Sequence, residues 1–253
     1  MRRALALALT LVALPLRAEL PEPLAPVAAE ALSVVYGPAA PTREGDPDWS
    51  DRLFLSVPVG TAGPLWLRVY DPGFGGPNDP AFGRTNATAY CLYGGPGAYT
   101  AAPRPAPQPD GARAAAPDPA APGILIAQQV YAGVSGSDED WETLAELDPA
   151  RGEVADGRVW FRLDVVGLSG AMPNAYAVAL SAGPGFTDPP PRALTLAYAP
   201  SLRWPGAGDA AAVVVALPAG GTVTVQNFDA AMGALTLATL YEAVALKHSG
   251  QDT

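Results

Sequence analysis

The sequence is poor in the residues that most often carry chemistry, with one cysteine and one histidine among 253 residues. A single cysteine cannot form an intrachain disulfide, and a single histidine cannot build a metal site from several imidazoles. Basic residues are also few, because 15 Lys and Arg stand against 25 Asp and Glu, for a formal net charge of -10. A surface of that sign repels phosphate backbones, so we expect no binding to nucleic acid.

The positions of the available residues do not support catalysis by a nucleophilic triad. The single imidazole, His248, lies five residues before the last residue, in a region where chains usually fray. Neither Ser135 nor Ser169 is followed by glycine two positions later, as a nucleophile elbow requires. A carboxylate pair for glycoside cleavage stays open, because such residues meet only in the folded chain. We therefore predict a protein that is not an enzyme.

The first residues are typical of a secretory signal peptide. Arg2 and Arg3 precede an apolar run over residues 4–16, and Ala18 offers a small residue at a cleavage site. The run is shorter than the roughly 20 apolar residues that span a bilayer, and no later segment is long and apolar enough. We predict that residues 1–18 are cleaved and that the mature protein is periplasmic or secreted, with no transmembrane segment. A buried helix is the alternative for this run.

Short apolar stretches recur along the rest of the chain. Residues 65–70 (LWLRVY) and 159–165 (VWFRLDV) place an apolar side chain at every second position, as half-buried strands do. Gly, Pro, Asn and Asp punctuate nearly every interval. The predicted fold class is all-β, an antiparallel β-sandwich or jelly-roll of about ten strands. Further strands are predicted at residues 32–36, 53–57, 89–93, 123–131, 175–180, 193–198, 212–217, 222–228 and 234–245.

Proline and alanine dominate two other segments. Residues 19–31 are predicted to form a loose leader, and residues 98–122 a long exposed loop within one β-sandwich domain that covers residues 32–246. A linker between two domains is the alternative for residues 98–122. Residues 235–246 could be helical, although their Thr and Val residues favour a strand. Residues 247–253 are predicted to form a flexible tail.

A loop rich in Asp, Asn, Gly and Pro follows the strand predicted at residues 65–70. Asp71, Asn78 and Asp79 supply side-chain oxygens, and the intervening glycines allow backbone carbonyls to turn inward. Hard cations such as Ca²⁺ bind oxygen ligands of these kinds, so the loop is a candidate structural Ca²⁺ site. The acidic residues 137–142 could complete that site or form a solvated loop. An Asx/Gly/Pro turn between two strands is the alternative for the first loop.

Two tryptophans and two arginines share the polar faces of the two clearest strands. Trp66 and Arg68 alternate with the apolar side chains of one strand, and Trp160 and Arg162 alternate with those of the other. Exposed aromatic rings can stack on sugar rings, so these four residues predict an exposed ligand-binding face. The alternative is a second buried face, or tryptophan rings that cover arginine side chains.

Several short motifs resemble a pattern in secreted bacterial β-sandwich proteins of unassigned function. In that pattern an apolar strand runs into Asp-Pro-Asp-x-Gly-Gly, and residues 69–76 (VYDPGFGG) match it except that Gly73 replaces the second Asp. The resemblance covers roughly residues 50–245 and implies a β-sandwich without known catalysis. The other matching segments are residues 92–97 (LYGGPG), 167–170 (GLSG) and 174–176 (NAY).

These features together predict a non-catalytic binding or structural module of the cell envelope, with Ca²⁺ as the one candidate cofactor. Its partner is predicted to be an envelope protein or a glycan. The alternative function is a carbohydrate-binding module that uses the aromatic and arginine strand face.

Overall fold

The computed structural model describes nine stretches of the chain, and all statements about structure below refer to them. The predicted signal peptide, leader and tail lie outside these residues, as do the strands predicted at residues 212–217 and 222–228 and the first two residues, 137 and 138, of the acidic segment. The described residues are 32–40, 49–76, 78–79, 85–102, 122–133, 139–184, 193–197, 235–238 and 243–246.

The described residues form β-strands and one short 3-10 helix, Pro149–Arg151, which is capped by Asp148 through a 2.9 Å hydrogen bond from the Ala150 amide. The strands are β1 (Ser33–Tyr36), β2 (Ser50–Pro58), β3 (Leu65–Tyr70), β4 (Ala87–Gly94), β5 (Ile124–Ala132), β6 (Trp141–Leu147), β7 (Glu153–Ala155), β8 (Arg158–Ser169), β9 (Pro173–Ser181), β10 (Leu194–Ala197), β11 (Leu235–Ala238) and β12 (Ala243–Leu246).

The strands assemble into two larger antiparallel sheets and one hairpin. The four-stranded sheet has the order β1-β9-β3-β6, and the six-stranded sheet has the order β10-β2-β8-β4-β5. The sixth strand, β7, pairs with the first residues of β8. Strand β4 pairs with the same side of β8, but with residues closer to its end. Strands β11 and β12 pair only with each other among the described strands.

One apolar core joins the two larger sheets. Leu67 of β3 in the four-stranded sheet and Leu55 and Leu163 of β2 and β8 in the six-stranded sheet are fully buried in the same cluster. Strands whose side chains alternate in this way bury one face and turn the other outward. The protein is therefore an antiparallel β-sandwich, which confirms the predicted fold class.

The alternation predicted for β3 and β8 is present, but two neighbouring strands were not predicted. Strand β6 has the sequence WETLAEL, whose glutamates and tryptophan obscure its period, and β7 has only three residues. The single strand predicted at residues 234–245 is wrong, because residues 235–238 pair antiparallel with residues 243–246 and the chain reverses between them.

The Pro- and Ala-rich segment connects neighbouring strands of one sheet. Strand β4 ends at Gly94 and pairs with β5, which begins at Ile124. Of residues 95–123 between them, residues 95–102 and 122–123 are described. In the part of the chain that the structure describes, no helix has the length and apolar character needed to cross a bilayer.

Candidate functional site

The Asp71 loop, residues 71–79, begins directly after β3 and folds against the sandwich. Asp71 is fully buried, and its Oδ1 accepts a 2.9 Å hydrogen bond from the Glu139 amide. The Asp71 amide in turn donates to the Asp140 carbonyl at 3.0 Å. Its φ of 51° lies in the left-handed region, which Asp adopts more readily than most residues. Asp71 therefore fastens the loop to the residues that precede β6.

A second carboxylate and an asparagine fasten the loop to the core. Asp79 is 7% exposed, and its Oδ1 accepts a 2.8 Å hydrogen bond from the Ala175 amide of β9. Asn174 Nδ2 donates to the Pro72 carbonyl at 3.1 Å and to Thr88 Oγ1 at 3.0 Å. Its buried Oδ1 accepts no hydrogen bond from the residues that the structure describes. Asn174 was not predicted to belong to this site. The available signal was an asparagine inside a strand, where asparagine is uncommon.

Two buried tyrosines lie close to the carboxylates. Burial raises the pKa of the Tyr90 hydroxyl well above its ordinary value, and the charge of Asp79 adds to the increase. The Tyr176 hydroxyl donates to Asp51 Oδ2 at 2.6 Å, and burial together with this carboxylate raises its pKa as well. Both hydroxyls are therefore protonated across the physiological pH range, and they add no negative charge to the site.

The three predicted cation ligands all take part in holding the loop. Asp71 and Asp79 accept backbone hydrogen bonds, and Asn78 forms a side-chain hydrogen bond with Tyr70. Within the described ranges, no group of three or more His, Cys, Asp or Glu residues could hold a metal ion. A cation bound by Asp71, Asn78 and Asp79 would therefore need further oxygen ligands from Asn174 and from backbone carbonyls. The Ca²⁺ site stays a prediction.

Trp160 and Arg162 lie on the outer face of the six-stranded sheet, but they are not exposed. Trp160 is 4% exposed and Arg162 is fully buried. The prediction of an exposed aromatic and arginine face is wrong for these two residues. Pro122 and Tyr93 contact Arg162, and the segment 98–102 packs over Trp160. The ring of Tyr99, from that segment, stacks on Trp160 with a centroid distance of 3.9 Å and an interplanar angle of 3°.

Glu153 of β7 anchors the segment 98–102 to the sheet. Its carboxylate accepts hydrogen bonds from the Tyr99 amide at 2.6 Å, from the Thr100 amide at 3.1 Å and from the Thr100 hydroxyl. Burial acts to raise the pKa of Glu153, but these hydrogen bonds outweigh it and lower the pKa below its ordinary value. Glu153 is therefore ionised at neutral pH, where it holds the segment in place.

Asp164 pairs with two arginines on the same outer face. Arg52 donates from Nε and Nη2 at 2.7 and 3.1 Å, and Arg162 Nε lies 3.2 Å from Asp164 Oδ2. Arg162 Nη1 donates to the Pro122 carbonyl at 2.5 Å, and its guanidinium lies 4.1 Å from the centre of the Tyr93 ring. The outer face of β8 is therefore a second buried face at this point, which was the alternative interpretation of the sequence. Charged residues lie at the centre of this buried face.

Cys91 borders the same charged group and is a free, partly buried thiol. Burial raises the pKa of Cys91, and the neighbouring Asp164 carboxylate raises it further. Because the thiolate is the nucleophilic form, this environment lowers the reactivity of Cys91 rather than raising it.

Trp66 and Arg68 lie on the other outer surface of the sandwich, that of the four-stranded sheet, where both are partly exposed. Arg68 Nη2 donates to the Trp141 carbonyl at 2.7 Å, and the Tyr70 and Trp141 rings lie 5.3 Å apart between centroids. The four predicted ligand-binding residues thus occupy opposite surfaces of the sandwich. They cannot line a single site.

In the part of the chain that the structure describes, strand β5 is an edge strand, and it was not predicted as a site. Among the described strands it pairs with β4 alone, at one end of the six-stranded sheet. Its nine residues, ILIAQQVYA, include no charge and no proline. Ile124, Leu125 and Val130 are 61%, 47% and 48% exposed. Edge strands carry a row of backbone N–H and C=O groups that can pair with a further strand.

No protein-family model matches this chain, and comparison with curated proteins and with solved structures gives no significant match.

Proposed function

We propose that the protein is a non-catalytic binding module of the cell envelope and that it binds an extended segment of its partner along β5. The observation that carries this proposal is the exposed, uncharged edge of β5. An added strand would form a ladder of backbone hydrogen bonds with β5, and its side chains would contact the exposed Leu125 and Val130.

The other edges of the two sheets differ from β5 in ways that hinder strand addition. Strand β6 carries Glu142 and Glu146, while β1 and β10 are each four residues long. Charged side chains and short length are devices by which proteins protect sheet edges from further pairing. Strand β5 has neither device, and this contrast supports its role as a binding surface.

Export from the cytoplasm belongs to the same proposal. The two arginines, apolar run and small residue over residues 1–18 support cleavage by a signal peptidase and a mature protein in the periplasm or outside the cell. An envelope protein that offers a short extended segment is the class of partner that fits an edge strand.

A photo-crosslinking amino acid at Val130 tests this function. We expect it to form adducts with one defined protein, identified by mass spectrometry, in the cells that produce the module. Val154 is the matched control, because it is a valine 68% exposed on the short strand β7. Adduct yields at Val130 no higher than those at Val154 would contradict the proposal.

Stabilisation by Ca²⁺ is a subsidiary part of the proposal. Asn174, whose buried Oδ1 accepts no hydrogen bond from any described residue, adjoins a loop with two buried carboxylates, Asp71 and Asp79. A cation bound by these oxygens would offset the cost of their burial. The loop would then be locked in place by the ion together with its backbone hydrogen bonds.

Thermal unfolding in EDTA and in millimolar Ca²⁺ measures this effect. An ion at 100 times its dissociation constant stabilises by about 2.7 kcal/mol, which raises the Tm of a protein of this size by about 5–10 °C. Asp79→Asn separates ion binding from hydrogen bonding. Its amide oxygen can still accept a hydrogen bond from the Ala175 amide, but the negative charge is gone. We expect it to keep the Tm measured in EDTA and to lose the Ca²⁺ shift. An unchanged wild-type Tm would make the loop a hydrogen-bonded turn only.

Glycan binding is the second candidate function, and one observation favours it. Trp66, Tyr70 and Trp141 are partly exposed on the outer face of the four-stranded sheet, with Arg68 between them. Aromatic faces next to a hydrogen-bond donor suit the flat, polar surface of a sugar ring. The Trp66 variant discussed below separates this function from strand binding.

A further inference from the structure

The composition of β5 narrows the choice of partner. The chain has a formal net charge of -10, so two copies repel each other over most of their surface. At β5 this repulsion is reduced, because none of its nine residues is charged. The same edge therefore admits a second copy of this chain more readily than β6, which carries two glutamates. The edge strands β1 and β10 are also uncharged, but each has only four residues to pair.

The middle of β5 is also self-complementary. Register shifts occur between Leu92 and Tyr93 of β4, so the irregularity lies near the start of β5 and residues 127–132 pair regularly. When two identical strands pair antiparallel about a two-fold axis, the residue on the axis faces itself. At the middle of β5 that residue is Gln128 or Gln129. A glutamine amide is both donor and acceptor, so two glutamines can bond to each other.

We propose that the segment bound along β5 is β5 of a second copy, paired antiparallel about a two-fold axis near Gln128. The six-stranded sheets of the two copies then form one continuous sheet through an isologous interface, in which the same edge serves both subunits. Exposed Val130 side chains add apolar contact on the outer face of the joined sheets. This inference rests on the proposed role of β5 as a binding edge and names its partner.

Sedimentation of the purified protein over a range of concentrations tests the inference. We expect the mass to approach that of two chains as concentration rises. Gln128 is exposed, and in either register the two copies of this residue are opposite or diagonal neighbours. Gln128→Lys should therefore raise the dissociation constant about fivefold or more through like-charge repulsion.

A charge exchange makes the test independent of any loss of folding. Gln128→Lys and Gln128→Glu should each be more monomeric than the wild type when alone, and an equimolar mixture should recover the dimer. Thr143→Lys is the matched control, because Thr143 is an exposed polar residue on the other long edge, β6. We expect it to leave the mass unchanged. Circular dichroism and Tm should be the same for all variants.

The outcomes separate this inference from the proposed function. A wild-type protein that keeps the mass of one chain at every concentration overturns the second copy as partner, and the crosslinks at Val130 then decide separately whether β5 binds another protein. A dimer that is insensitive to both Gln128 variants also overturns the inference, because its interface must lie elsewhere. An equimolar mixture of the Gln128→Lys and Gln128→Glu variants that does not recover the dimer also overturns the inference.

Discussion

Replacement of Asp164 by alanine is expected to lower the free energy of unfolding by about 3–5 kcal/mol, because it leaves a buried guanidinium without its counter-ion. Arg162 is fully buried, and its Nε lies 3.2 Å from Asp164 Oδ2. Breaking a buried ion pair from one side is strongly destabilising, since the remaining charge is neither hydrated nor paired. Urea unfolding of wild type and variant measures the difference.

Two further variants show whether charge burial is the cause. Glu146→Ala removes an exposed carboxylate and should change stability by no more than about 0.5 kcal/mol. The double variant Arg162→Met/Asp164→Leu replaces the pair by apolar side chains, and it should be more stable than Asp164→Ala by at least about 1 kcal/mol. A double variant as unstable as Asp164→Ala would show that shape at this position matters more than charge.

Trp160→Ala is expected to destabilise the protein by about 3–5 kcal/mol, which is the range for large aromatic residues in cores. The Trp160 ring is 4% exposed, packs with Phe54, and is stacked on Tyr99. Its loss leaves a cavity beneath the segment 98–102. Chemical unfolding gives the free energy, and limited proteolysis should show faster cleavage near residues 98–102 in the variant.

Trp66→Ala is the matched variant, because Trp66 is a tryptophan at an outward position of a strand that remains partly exposed. We expect a loss of about 1 kcal/mol or less, since much of the ring already contacts water. If the protein binds glycans through this surface, Trp66→Ala also abolishes the retardation that a glycan causes in an affinity gel. Equal losses of stability in Trp66→Ala and Trp160→Ala would contradict the difference in burial between these two tryptophans.

The sequence was sufficient to predict which side chains of β3 and β8 point inward, because alternation is a local property of a strand. It did not show whether the outer faces are covered. Trp66 and Trp160 occupy equivalent positions in their strands, yet Tyr99 covers only the second. That difference depends on a segment some 60 residues away in the chain, which no local pattern reports.

The loop residues show the same limit. Asp71 and Asp79 could be singled out because Asp in a Gly- and Pro-rich loop is conspicuous. The partner of Asp79 could not, because the Ala175 amide lies 96 residues farther along the chain. The same holds for Asn174, which lies 102 residues from Pro72, the residue whose carbonyl it binds. The exposed edge of β5 was hidden for another reason. An apolar run predicts a strand, but only the order of strands in the sheet shows that this one lies at an edge.

Hydrogen–deuterium exchange of the amides in β5 tests the central claim most directly. In dilute purified protein we expect peptides that cover residues 124–132 to exchange faster than peptides from β8, which is paired on both sides. On binding, through a higher protein concentration or an added envelope fraction, exchange in β5 should slow while β6 stays unchanged. Slow exchange of β5 in the dilute protein, or no slowing under either condition, would contradict its role as the binding edge.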